Sequence, residues 1–198
     1  MPPPDQVLRA DAARNYERIV VAAERAFEEI GPAATLEEVA RRAGVGVATV
    51  YRRFRNRDQL VRAVFARAFV AIELAAVETD DPWQDLLHFL HATVDVLAGR
   101  QAVLALAREV DSIDVRLLDR CEHLVGGLLR RARAAGVTRP ELEPRDVAAV
   151  VVMALAVVRP DDVGGADRRR YLALLTDGLR PAPTALPPAA TLPSRCRA

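Results

Sequence analysis

The chain has 198 residues, of which 51% are hydrophobic and 28% charged, so it can form a core for one domain or two small ones. Two cysteines, Cys121 and Cys196, are too few for a disulfide framework. The N-terminus has no signal-peptide pattern and the longest apolar run, residues 147–158, is too short to cross a bilayer, so we expect a cytoplasmic protein without a membrane span.

Apolar residues recur at helical spacing along most of the chain, and no segment alternates over the length of a strand. The chain is therefore predicted to be all-α. The predicted helices cover approximately residues 11–30, 35–43, 47–54, 56–77, 83–98, 101–109, 114–135, 144–158 and 166–180. Residues 1–10 are predicted to be a flexible arm, and the proline-rich residues 181–198 a disordered tail.

Local signals mark the ends of the second, third and fourth helices. The segment "TLEE" has the form of a capping box, with Thr35 as the N-cap and Glu38 as the side chain that returns to it. Gly44 supplies the left-handed residue that often follows a helix. Asn56 is a suitable N-cap for the fourth helix.

The second and third helices are short and are joined by a turn that contains two glycines, which is the construction of a helix-turn-helix. Val50 and Phe54 are predicted to face inward, with Val45 of the turn. The outward side then carries small residues and arginines, as a helix that enters the major groove requires. Residues 41–67 also hold eight arginines and one acid, Asp58, a charge pattern typical of a surface that binds a polyanion.

The stretch "TLEEVARRAGVGVATVYRRFRNRDQL" (35–60) resembles the DNA-binding signature of the TetR (tetracycline repressor-like) transcriptional regulators. It departs from that signature at Gly46, where the family often has serine, and at Asn56, where serine or threonine is common. The resemblance implies a three-helix DNA-binding domain (11–57), joined by a long helix to a helical effector-binding and dimerisation domain (58–180). It also implies a ligand-responsive repressor that binds double-stranded DNA at an inverted-repeat operator as a homodimer.

The resemblance implies a role for each matching residue of the signature. Thr35 corresponds to the N-cap whose backbone amide meets a phosphate, and Val47 and Ala48 to contacts with base edges. Phosphate contacts are implied for Thr49, Tyr51, Arg53 and Arg57. Arg52 is predicted to donate hydrogen bonds to a base, with guanine as the expected partner.

The fifth to seventh predicted helices are apolar on more than one side. In the family these helices enclose an effector pocket, although core packing alone explains the same pattern. The candidate ligand-binding residues are Trp83, His88, His91 and Cys121. The family further implies that the last two helices form a four-helix bundle across a two-fold axis, and the expected interface lies near residues 114–135, 144–158 and 166–180.

Two other classes of protein compete with this interpretation. His88 and His91 lie three residues apart on one predicted helix, and a helical metal-binding protein or enzyme could use them with Asp95 and with Cys121 or His123. A plain helical interaction module is the second alternative. The chain has no nucleophile elbow, phosphate-binding glycine loop or HExxH motif, so neither a catalytic site nor a cofactor is predicted.

Overall fold

A computed structural model describes residues 4–109, 115–157 and 165–189. Within these ranges the chain forms nine α-helices, a 3-10 turn at Gly31–Ala33 and no strand, which confirms the predicted all-α fold. The helices are α1 (Pro4–Ile30), α2 (Leu36–Ala43), α3 (Val47–Arg53), α4 (Arg57–Leu74), α5 (Pro82–Ala98), α6 (Gln101–Glu109), α7 (Val115–Ala134), α8 (Pro144–Ala156) and α9 (Ala166–Asp177). The predicted break at Asp111-Ser112 and residues 190–198 of the predicted tail lie outside the described residues.

The predicted helix caps are present at both ends of α2 and at the start of α4. The Thr35 hydroxyl accepts a hydrogen bond from the backbone N–H of Glu38 at 3.2 Å, and Gly44 is left-handed, with φ of 62°. The Asn56 side chain accepts from the backbone N–H of Gln59 at 3.0 Å. Because these bonds satisfy N–H groups that have no partner within the helix, they determine where each helix begins.

The capping box of α2 is only half formed, which corrects the prediction for Glu38. Its carboxylate accepts hydrogen bonds from Arg41 at 2.6 Å and from Arg42 at 2.7 Å. These guanidinium bonds, first that of Arg41 and then that of Arg42, lower the pKa of Glu38 to about 2. Charge-assisted bonds to two arginines are stronger than a bond to one backbone amide, so the carboxylate turns away from the N-cap.

Several predicted segment boundaries differ from the structure. Helix α4 ends at Leu74 rather than near residue 77, and α9 ends at Asp177 rather than near residue 180. Helix α1 is already formed at Pro4, within the predicted arm. In the predicted disordered tail, residues 181–189 are not helical but lie against the loop between α7 and α8. The Arg139 guanidinium donates to the carbonyl of Thr184 at 2.6 Å, and the N–H of Leu186 donates to Glu141 at 2.9 Å.

Two hydrophobic clusters make up the interior, and α4 contributes to both. The first cluster combines α1 to α4 with Val103 and Leu106 of α6, and the second combines α5, α7, α8 and α9. Phe65 and Phe69 of α4 belong to the first cluster, whereas Ile72, one turn further on, belongs to the second. A shift of α4 would therefore be felt in both clusters. No helix in the described ranges has the length and apolar character needed to cross a bilayer.

Hydrogen bonds connect the elements that pack near α4: they join α1 to α6, and the loop after α4 to α5 and α7. The Glu28 carboxylate of α1 accepts hydrogen bonds from the backbone N–H groups of Ala102 and Val103, at the start of α6, at 3.3 and 3.2 Å. The loop that follows α4 is held by Asp85 of α5, which is 1% exposed and accepts from the backbone and hydroxyl of Thr79. Arg131 of α7 donates to the same carboxylate at 2.7 Å.

Candidate nucleic-acid interface

The turn between α2 and α3 is held in place by buried apolar side chains and by hydrogen bonds from an arginine of α1. Val50 and Phe54 are 0% and 4% exposed, which confirms their predicted inward direction. The Arg18 guanidinium donates to the carbonyl of Ala43 at 2.6 Å and to that of Gly44 at 3.2 Å. Arg18 thus satisfies carbonyls at the C-terminus of α2, where a helix leaves acceptors without partners and attracts a positive charge.

The outer side of α3 faces solvent. Val47 is 42% and Tyr51 45% exposed, unusually high for large apolar or aromatic side chains. Ala48 and Arg52 are exposed as well, and Thr49 is half-buried. The outward side predicted for this helix is therefore accessible, and its leading side chains are short enough for close approach to a duplex.

Only some of the eight arginines in residues 41–67 keep an uncompensated positive charge in the folded chain, and these lie close together. Arg41 and Arg42 pair with Glu38, Arg42 also with Glu29, and Arg67 with two acids of α1. The other five arginines have no acidic partner within the described part of the chain: Arg52, Arg53, Arg55, Arg57 and Arg62. These five lie on α3, on the connection to α4 and on the first turns of α4, so the uncompensated positive charge is concentrated beside the exposed helix.

Aromatic rings of α1 pack against the side chains of two residues that are predicted to contact phosphate, Arg53 and Arg57. The Arg53 guanidinium lies 5.5 Å from the ring centroid of Tyr16, which itself stacks on Phe54 at 5.6 Å. The Arg57 guanidinium lies 5.5 Å from the ring centroid of Phe27, and two of its nitrogens, Nε and Nη2, are buried without a hydrogen-bond partner in the described chain. Cation–π contact restricts both side chains before any ligand arrives.

Tyr51 already has a hydrogen-bond partner. Its hydroxyl donates to Oε1 of Glu37, in the first turn of α2, at 2.6 Å. This bond is the main cause that lowers the pKa of Glu37 and that raises the pKa of Tyr51. A phosphate contact by the Tyr51 hydroxyl therefore requires this bond to open.

The four candidate ligand-binding residues occupy different environments. Trp83 is 5% exposed, and the Arg180 guanidinium covers its ring at 4.2 Å. Cys121 and His91 are half-buried, whereas His88 is exposed, which argues against the prediction that it points into a pocket. Burial raises the pKa of the Cys121 thiol, with a smaller contribution from the charge of Glu73.

Two cavities lie near the DNA-binding helices rather than beside these four residues. A groove of 660 Å³ is bounded by α1 and α2 and includes Arg18 and Arg42. A smaller cavity of 330 Å³ is lined by Tyr16, Arg53 and Arg62, with Leu117 of α7. In the part of the chain that the structure describes, no three His, Cys, Asp or Glu side chains are placed to hold a metal ion.

The contacts that position the interface were not predicted from the sequence. Tyr16 and Phe27 were identifiable only as apolar positions of the first helix, and their role under Arg53 and Arg57 depends on how α1 packs. Arg18 is separated by 25 residues from the carbonyl that it contacts. Glu37 lies two residues after the predicted cap residue Thr35, and this closeness in sequence was the one signal that could have pointed to Glu37.

In the part of the chain that the structure describes, the helix-turn-helix packs on the core by its inner side and exposes the outer side of its second helix. Five arginines that have no acidic partner in this part of the chain lie beside that helix. Together these features define a DNA-binding transcriptional regulator. Comparison with family models agrees with this class. Residues 19–64 match the model described as bacterial regulatory proteins, tetR family, and residues 81–181 match the C-terminal domain of SbtR-like transcriptional regulators. The chain belongs to the TetR family of transcriptional regulators.

Solved structures of family members share the whole fold. A TetR regulator from Mycobacterium vanbaalenii is 29% identical, with a TM-score of 0.65 over 87% of this chain and 99% of that one. SCO0520 from Streptomyces coelicolor is 29% identical, with a TM-score of 0.62 over 84% of this chain and 98% of that one. NalD of Pseudomonas aeruginosa, the secondary repressor of the MexAB-OprM multidrug efflux pump, shares the fold at 22% identity, with a TM-score of 0.58 over 86% and 98% of the two chains. No curated protein sequence matches the chain.

Proposed function

We propose that the chain is a ligand-responsive repressor that binds an inverted-repeat operator as a homodimer, with residues 11–57 reading DNA and residues 58–180 binding effector and partner. The observation that carries the proposal is the exposed outer side of α3 beside five arginines that have no acidic partner among the described residues. A helix of this kind enters the major groove, while flanking arginines hold the phosphate backbone.

Eight residues of the helix-turn-helix and the start of α4 have a role in this proposal. Val47 and Ala48 contact base edges, where an apolar group can meet a thymine methyl, and Arg52 donates to guanine. Thr49, Tyr51, Arg53 and Arg57 contact phosphates, as does the backbone amide of Thr35. Arg52 differs from Arg53 and Arg57 in that no aromatic ring fixes its guanidinium within the described chain, so it is free to follow a base edge.

The exposed apolar residues of α8 and α9 support a homodimer. Five large side chains on these helices are between 39% and 62% exposed: Val152, Met153, Val157, Tyr171 and Leu174. Exposed apolar side chains grouped on two helices that contact each other are typical of an interface. In the C-terminal half of α7, by contrast, the apolar side chains Val125, Leu128 and Leu129 are already buried within the chain. A two-fold dimer presents its α3 helices symmetrically, and this symmetry requires an inverted repeat.

The effector is proposed to be a small, largely apolar molecule bound among α5, α6 and α7, with His91 and Cys121 as polar groups. Coupling to DNA would pass through α4, which takes part in both hydrophobic clusters. A ligand that binds more tightly to a dimer with altered spacing of its α3 helices lowers DNA affinity by that difference in binding free energy.

The decisive experiment is selection of DNA by the purified protein from a random-sequence pool, followed by binding titrations on the selected duplex and on a scrambled one at several salt concentrations. We expect an inverted-repeat sequence and a steep loss of affinity with salt. Arg52→Ala should cost about 1–3 kcal/mol per half-site on the selected duplex and little on the scrambled one. Equal losses on both duplexes would show that Arg52 holds phosphate and that bases are read elsewhere.

A further inference from the structure

The hydrogen bond between Tyr51 and Glu37 lies on the side of the protein that is proposed to face DNA. It joins the middle of α3 to the first turn of α2, and its 2.6 Å length is that of a strong bond between a hydroxyl and a carboxylate. Both side chains are exposed. The bond therefore does not serve to satisfy buried polar groups, and an anion that arrives from solvent can reach the same donors.

The donors around Glu37 are those that a phosphate oxygen would use. The pKa of Glu37 is lowered first by the Tyr51 hydroxyl, then by its own backbone N–H in the first turn of α2, and then by the Thr35 hydroxyl. Hydroxyl groups and the N–H groups at a helix N-terminus are typical phosphate ligands in protein–DNA complexes. Thr35, the N-cap of α2, and Tyr51 are also among the residues for which a phosphate contact is proposed on other grounds.

We propose that Glu37 is a built-in competitor of the DNA backbone: in the free protein its carboxylate, in the first turn of α2, occupies the Tyr51 hydroxyl, and it must release that donor when a phosphate binds. This inference rests on the proposed DNA-binding function. Its consequence is that Glu37 weakens binding to every sequence alike, because the repulsion acts on the backbone and not on base edges. Binding then depends more heavily on the base contacts of Val47, Ala48 and Arg52.

The test is the Glu37→Gln variant, which removes the charge and keeps the size of the side chain. Affinity would be measured by fluorescence anisotropy on a duplex selected by the wild-type protein and on a random-sequence duplex of equal length, across a series of NaCl concentrations. Two unit charges 4 Å apart in water interact by about 1 kcal/mol, so we expect binding to tighten about fivefold per half-site on both duplexes. The dependence on salt should steepen, because the protein would then neutralise more phosphate charge.

Glu78→Gln is the charge-matched control. Glu78 is exposed and lies four residues beyond the C-terminal end of α4, a helix of 18 residues and about 27 Å whose first turn lies beside α3. This variant should leave both affinities nearly unchanged. Tyr51→Phe supplies the second measurement, and it should weaken DNA binding more in the Glu37→Gln protein than in the wild type. The reason is that the wild-type protein must first open the bond between Tyr51 and the Glu37 carboxylate before the hydroxyl can donate to phosphate.

Three outcomes would overturn the inference. Unchanged affinity of Glu37→Gln, or a gain that Glu78→Gln reproduces, would show that the carboxylate does not compete with phosphate. Weaker binding to the selected duplex alone would assign Glu37 to base reading, as an acceptor for cytosine. If the wild-type protein bound neither duplex, the proposed DNA-binding function itself would fail, and that result is visible before any variant is compared.

Discussion

Replacement of Gly44 by alanine tests how the turn between α2 and α3 is held. Gly44 has φ of 62°, a conformation that costs an L-residue with a Cβ about 1–2 kcal/mol. A Cβ at this position would also lie 2.9 Å from Nη2 of Arg18, closer than real Cβ atoms approach. The flexible guanidinium can move aside, but it then loses its bonds to the carbonyls of Ala43 and Gly44.

The backbone strain at residue 44 and the loss of the Arg18 hydrogen bonds both lower the free energy of unfolding, and their costs add. Loss of hydrogen bonds from an exposed guanidinium to backbone carbonyls costs about 1 kcal/mol, so Gly44→Ala should lower the free energy of unfolding by about 2–3 kcal/mol in total. DNA affinity should fall as well in the fraction that remains folded, because Arg18 no longer fixes the end of α2 against α1. Equilibrium urea unfolding followed by circular dichroism gives the first quantity, and titration on the selected duplex gives the second.

Two other glycines separate the two terms. Gly31 has φ of 64° with no atom within 4 Å of an added Cβ, so Gly31→Ala should show only the backbone cost of about 1–2 kcal/mol. Gly46 has φ of −65°, and its Cβ would meet only the Thr49 hydroxyl at 3.8 Å. Gly46→Ala should therefore show neither term, and should cost only the preference for glycine over alanine at the N-cap of α3, about 0.5–1 kcal/mol.

A double-mutant cycle isolates the contribution of Arg18. In an Arg18→Ala background the added Cβ has no guanidinium to displace, so Gly44→Ala should cost the same as Gly31→Ala, a coupling of about 1 kcal/mol. If the cost of Gly44→Ala were the same in both backgrounds, Arg18 would have no part in holding the turn. If Gly44→Ala were as mild as Gly46→Ala, the left-handed backbone would not be the constraint on this turn.

Three further results are expected. Hydrogen bonds from Thr79 are the chief cause that lowers the pKa of Asp85, so the carboxylate stabilises the fold at pH values above the ordinary carboxyl pKa. Asp85→Asn should therefore lower the midpoint of urea unfolding at neutral pH. The difference in midpoint between this variant and the wild type should shrink as the pH falls below about 4. Because burial raises the pKa of Cys121, iodoacetamide should modify it slowly at neutral pH and faster as the pH rises, measured by mass spectrometry in a Cys196→Ser background; rapid reaction at pH 7 would contradict its burial. The Met153→Glu, Leu174→Glu double variant should shift the mass in light scattering from dimer to monomer, and a persistent dimer would place the interface elsewhere.

Much of the local structure could be predicted from the sequence because its causes lie within a few residues of one another. Helical periodicity locates α5 to within one residue at its start and α6 at its start, and the Thr35, Gly44 and Asn56 caps act on N–H and C=O groups of their own helices. The helix-turn-helix and the family follow from the same short range, since the signature at residues 35–60 is continuous.

The tertiary structure alone decided which charges remain free and which side chains support the interface. Arg42 and Arg67 look like DNA-binding arginines in the sequence, yet acids of α1 that lie 13 to 50 residues away neutralise them. The same packing brings Arg18 to the end of α2 and Glu37 to the Tyr51 hydroxyl, and it leaves His88 in solvent. Such contacts depend on the angles at which helices pack, and those angles arise from the fit of whole apolar surfaces, which no local pattern of residues records.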